Sequence, residues 1–160
     1  MTRAISILRG FAADPGGLAA IELAIIAPIV VLSILCVADL GRYALARTWV
    51  TYAASAGAEY AAAHASSTFS ATAISSAATS AAGVSGISVS PAPSQYYGCA
   101  TATGVTASTQ GASCPSSTST GATAGQYVAV TATMPFAALF SAAGIAYPST
   151  LASTAVVRTQ

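Results

Sequence analysis

From Leu18 to Ala38 the chain reads LAAIELAIIAPIVVLSILCVA, an apolar run carrying one charge, Glu22. About 20 apolar residues at 1.5 Å rise cross a hydrocarbon layer of ~30 Å, so the run predicts a membrane-spanning helix. It exceeds the apolar core of a secretory signal peptide, about 7–15 residues. Past Asp39 the larger residues Leu45, Trp49, Tyr52 and Tyr60, with Ala56 between, recur at intervals of three and four. That spacing keeps one helical face, so a single helix is expected over 18–65, first in lipid and then emerging. The stripe is expected to pack on the protein's own sheet. Asp39 and Arg42, three residues apart, can pair along the helix. Tyr43, Trp49 and Tyr52 fall at or just beyond the headgroup level, where amphipathic rings concentrate.

The pattern changes after residue 65. Residues 66–82 predict an alanine-rich second helix or a kinked continuation, with Ser66, Ser67 or Thr68 as cap and Gly83 as stop. Ile87 and Val89 alternate with Ser88 and Ser90. Val128, Val130, Ala132 and Met134 alternate with Tyr127, Ala129, Thr131 and Thr133, and Leu151, Ala155 and Val157 oppose Thr154 and Arg158. Period-two alternation predicts about three half-buried strands. So small an antiparallel sheet needs the emerging helix as its cover, which gives an α+β class. One or two helical turns are expected between Pro135 and Tyr147. The expected organisation is a leader at 1–17, a span at 18–38, a helical region at 39–82, and a small β-rich domain at 83–160 containing a polar loop at 91–125. In the leader, Asp14-Pro15-Gly16-Gly17 is expected to break any helix ahead of the span.

Charge narrows the possible chemistry. Only 6% of the residues are charged, the net charge is +1, and lysine is absent. No basic face exists for nucleic acid. No carboxylate follows Glu59, and Arg158 is the only charge after it, so a general acid/base pair is hard to assemble. His64 has no acid near it in sequence and reads as a surface or helix-packing residue. With Cys99 and Cys114 it lacks zinc-site spacing. No phosphate-binding glycine loop precedes a lysine. A structural protein rather than an enzyme is expected, with no cofactor, metal or small-molecule substrate. Cys99 and Cys114 lie in a Ser/Thr/Ala/Gly-rich stretch that fits an oxidising compartment, which puts the N-terminus in the cytoplasm and the bulk outside. One Cys99–Cys114 disulfide is expected, with Cys36 left reduced in the span; a pair of free thiols is the alternative.

Glu22 is the most informative residue. A carboxylate near mid-bilayer costs roughly 2.5–3.5 kcal/mol, so an acid inside a span is a functional hypothesis by default. A cut between Gly17 and Leu18 would leave an α-amino group one helical turn before Glu22. In a stack of such helices, Glu22 could meet a neighbour's amine and remove two intramembrane charges at once.

Glycine, four residues, then glutamate at the head of an apolar helix resembles the prepilin-peptidase site of type IV pilin-like proteins. The run GGLAAIELAIIAPIVVLSILCVADLGRYALARTWVTYAASAGAEYAA resembles the N-terminal region of the TadE-like family, pseudopilins of the tight-adherence (Flp) pilus system. The family pattern falls on Gly17, Glu22, Pro28 and Asp39-Leu40-Gly41-Arg42, with Asp39, Gly41 and Arg42 at the membrane edge. QYVAVTATMPF and STLASTAVVR look like the family's closing strands. Two departures stand out: Leu23 replaces the usual aromatic residue, and no basic residues directly precede the glycine. With two glycines, a cut after Gly16 also remains open. The resemblance implies a minor pilin in the bacterial cytoplasmic membrane, cut by a prepilin peptidase and partnered by other pilins and pilus-assembly membrane proteins. The alternative is an unprocessed, signal-anchored surface protein used for binding or adhesion.

Overall fold

The computed structural model describes residues 15–115, 122–139 and 146–160. The leader up to Asp14 lies outside them. Two helices and five strands follow in chain order: α1 (Pro15–Ala63), α2 (Ala71–Ala82), β1 (Ser88–Val89), β2 (Ser94–Thr101), β3 (Gly104–Ser108), β4 (Gly125–Pro135) and β5 (Thr150–Arg158). The class is α+β, a long apolar N-terminal helix followed by a small antiparallel sheet. Helix α1 begins at Pro15 and takes in Gly16 and Gly17. The start falls within the expected breaking stretch, at a proline favoured in the first turn because its missing N–H would have no partner anyway, while Gly16 and Gly17 do not interrupt the helix.

The chain divides into two compact units. One holds α1 up to Arg42 together with Ala138 and Leu139 of the β4–β5 connection. In it the apolar side chains of α1 face outward, and none of the most apolar window is buried.

The other unit holds the rest of α1, α2 and the sheet. Ala46, Val50, Ala53 and Ala54 of α1 pack on Ala132 and Leu151. Ala58 and Ala61 join Ile74 of α2 against Val128 and Val130. Small residues bring the helix close to the sheet. The expected stripe of large residues does not form this contact. Leu45 and Tyr52 are 55% and 58% exposed, while Trp49 and Tyr60 only flank the core. Helix α2 starts later than expected: Ser70, not Ser66–Thr68, is its cap, its Oγ accepting from the Ala73 N–H at 3.3 Å. The helix ends as expected at Gly83, whose φ of 64° is the left-handed conformation that glycine adopts without a Cβ clash.

β4 organises the sheet. β5 lies along one edge, from Tyr127↔Arg158 to Pro135↔Thr150. The other edge is shared by β1, paired through Ser88↔Thr133 and Val89↔Ala132, and β2, paired from Ser94↔Ala129 to Gly98↔Gly125. Between those segments, residues 90–93 face only Val130 and Thr131. Ser90 N–H still bonds Thr131 O at 3.0 Å, but Pro91 and Pro93 have no N–H to donate.

The sheet therefore has five strands where about three were expected, and two of them, β2 and β3, arise inside the stretch expected as a polar loop. They form a hairpin whose register closes at Thr101↔Gly104. Its small Ser, Thr, Ala and Gly residues give little apolar contrast between faces, so periodicity alone does not reveal it. Within the stretch expected to make helical turns, residues 136–139 and 146–149 are irregular, and the rest lies outside the described residues.

Candidate functional site: the apolar helix and its polar residues

The Gly17–Leu18 bond lies in the first turn of α1. N–H groups of a first turn lack intrahelical acceptors, so this is the part of the helix that opens at least cost. Glu22 follows Leu18 by four residues. It is exposed between the exposed Ile21 and Leu23, and among the described residues it makes no ion pair. The structure thus places a carboxylate on an outward, otherwise apolar surface with no ion-pair partner among the described residues. Cys36, further along the same stretch, is a half-buried free thiol.

Asp39 contrasts with Glu22. It is 1% exposed, and its Oδ1 accepts from Arg42 Nη1 at 3.2 Å and from the Leu139 backbone N–H at 2.9 Å. The Asp39–Arg42 pair follows the three-residue spacing; the contact with a residue a hundred positions later carries no sequence signal. Both donors favour the charged form of a buried carboxylate, which would otherwise be costly to desolvate. Gly41 stands in open space: a Cβ built there meets nothing within 4 Å. Nothing among the described residues requires glycine at that position.

The cysteines lie in the β-rich unit. Cys99 on β2 is bonded to Cys114, with Cα atoms 5.6 Å apart. Around the bond Ala124, Tyr97 and Ala112 form a small third core. Backbone bonds Cys114 N–H to Ala122 O and Ala124 N–H to Ala112 O, both 2.8 Å, close the excursion that follows β3. A loop of this size is stabilised by a disulfide by about 3 kcal/mol on chain-entropy arguments.

His64 sits past the end of α1, stacked on Tyr60 at 4.0 Å between ring centroids, with Nδ1 2.9 Å from the Tyr60 carbonyl oxygen. No cluster of His, Cys, Asp and Glu able to hold a metal ion occurs among the described residues. What the arrangement offers is a surface: an outward apolar helix, one unpaired acid near its start and a buried ion pair further along.

Comparison with known proteins adds one match. The family model described as TadE-like protein matches residues 17–59, starting at Gly17 and taking in Glu22, Pro28, Asp39, Gly41 and Arg42. No curated protein and no solved structure gives a match to the chain.

Proposed function

We propose, taking the TadE-like segment at 17–59 as the premise, that this protein is a minor pilin of a tight-adherence pilus, anchored by α1 and trimmed by a prepilin peptidase after Gly17. The observation that carries the reading is the helix itself. The family match begins at Gly17, and the segment that follows presents its apolar side chains outward, a surface suited first to lipid and then to the helices of other pilins. Glu22 then serves assembly. Trimming after Gly17 creates an ammonium at Leu18, and the carboxylate of one subunit neutralises the amine of the next as both leave the bilayer for the fibre. The β-rich unit stays on the extracytoplasmic side, where its disulfide is stable. The role is one of assembly, with pilins and pilus-assembly membrane proteins as partners.

Sequencing the mature N-terminus from membrane and pilus fractions tests this. The expected product begins at Leu18, and Gly17→Ala blocks its formation, because a minimal side chain lets the peptidase approach the backbone. A chain that keeps residues 1–17 in a host with active prepilin peptidase defeats the proposal and favours a signal-anchored surface protein.

A further inference from the structure

We propose that the start of the β4–β5 connection is a second membrane contact, in which Leu139 enters the apolar edge of the lipid bilayer beside α1. The inference rests on reading α1 as a membrane span and concerns a part of the chain outside the TadE-like segment.

Position is the first argument. Leu139 donates its N–H to Asp39, the residue immediately after the apolar stretch 18–38. A helix of that length spans about 30 Å, so the bond fixes Leu139 at the level where α1 leaves the hydrocarbon. Exposure is the second. The Leu139 side chain is 64% exposed, and Val37 and Leu40 of α1, in the same compact unit, are exposed as well. One apolar surface therefore continues from the span onto the connection.

Composition is the third argument. The connection from Phe136 to Tyr147 reads FAALFSAAGIAY, with no charge and two hydroxyls, those of Ser141 and Tyr147. Elsewhere this chain builds its water-facing connections from Ser, Thr and Gly, as in HASSTFS before α2 and TQGAS after β3. The two ends of the connection meet Tyr43. Its ring lies 5.6 Å from Phe136 and 5.4 Å from Tyr147, which are 5.6 Å from each other. Tyr43 itself follows the span within about one helical turn of Ala38, where aromatic residues concentrate at membrane interfaces. Asp39 completes the arrangement, since a backbone N–H entering a region poor in water needs an acceptor supplied by the protein.

The test uses the full chain in phosphatidylcholine vesicles, with Trp49→Phe as background and single tryptophans placed by Leu139→Trp, Val30→Trp and Thr103→Trp. Acyl chains brominated along their length, some near the headgroup and some near mid-bilayer, serve as quenchers, and a cooperative thermal transition like that of the parent certifies folding. Leu139→Trp is expected to emit at shorter wavelength than Thr103→Trp at the hairpin tip and to be quenched to an extent comparable with Val30→Trp. The exposed Ala137→Trp supplies a second reporter should Leu139→Trp fail to fold. Quenching at Val30→Trp with none at the connection overturns the proposal and assigns Leu139 to water or to another protein. Absence of quenching at Val30→Trp as well removes the spanning reading of α1, and this inference with it.

Discussion

Val130 Cγ1 stands 2.9 Å from the point where a β-carbon on Gly57 would be, and Ala78 Cβ stands 3.0 Å from it. Three elements meet there, α1, α2 and β4, and only the missing side chain lets them approach. Gly57→Ala gains up to about 1 kcal/mol of helix propensity but overpacks the site by roughly 1–3 kcal/mol. The expected net is a destabilisation of about 1 kcal/mol, read as a fall in Tm of several degrees. Gly41→Ala, on the same helix in open space, is expected to be neutral or stabilising by up to about 1 kcal/mol. Thermal unfolding of both variants checks the contrast. If Gly41→Ala leaves stability intact yet abolishes fibre incorporation, the space over Gly41 is used by a neighbouring helix.

Those two glycines mark how far the sequence can be read. The apolar run of α1, the stop at Gly83 and the alternation in β4 and β5 are legible because each contrasts apolar with polar positions at a fixed period. The buried face of α1 is not, because it is built from Ala46, Ala53, Ala54, Gly57, Ala58 and Ala61, whose small side chains look like filler between Leu45, Trp49 and Tyr52. Close approach reverses the usual rule, and two of the large residues end outside. β2 and β3 are hidden for a related reason, although the tyrosines at 96 and 97 and the short Thr101–Gly104 closure were available as strand and turn signals. Glu22 and the Asp39–Arg42 spacing could be found from sequence; the Leu139 partner of Asp39 could not.

Asp39 provides the next expectation. Asp39→Ala strands the Leu139 N–H and releases Arg42, which costs about 1–3 kcal/mol for a buried group left without its partner. Asp39→Asn keeps an acceptor for Leu139 and loses only the charge, so its effect should be smaller. Amide hydrogen exchange at Leu139 distinguishes them: fast in Asp39→Ala, partly protected in Asp39→Asn. Equal protection in all three proteins would show that the bond does not hold the connection.

Removing the disulfide should loosen the β-rich unit. Cys99→Ser with Cys114→Ser is expected to lose about 3 kcal/mol. For a domain of this size that corresponds to a Tm lower by roughly 10–20 °C. In the unreduced protein, alkylation followed by mass spectrometry should modify Cys36 alone. Two further reactive thiols would contradict the bond.

Glu22→Ala separates insertion from assembly. Removing a charge from an apolar span favours membrane integration, so membrane levels should hold or rise. Incorporation into fibres should drop, because the neighbour's amine is then unpaired. Fibres at wild-type yield from this variant would end the pairing role assigned to Glu22.

The outer face of the sheet is fastened by hydroxyls. Thr131 and Thr154 meet at 2.8 Å across β4 and β5, and Ser88 meets Thr133 at 3.0 Å across β1 and β4. Neither pair carries a charge to be titrated or screened, so changes of ionic strength or of acidity leave these links unchanged. Ion pairs in the same places would weaken as salt rises or as acid protonates their carboxylates. A surface fastened in this way suits the extracytoplasmic placement proposed above, in a medium the cell does not buffer.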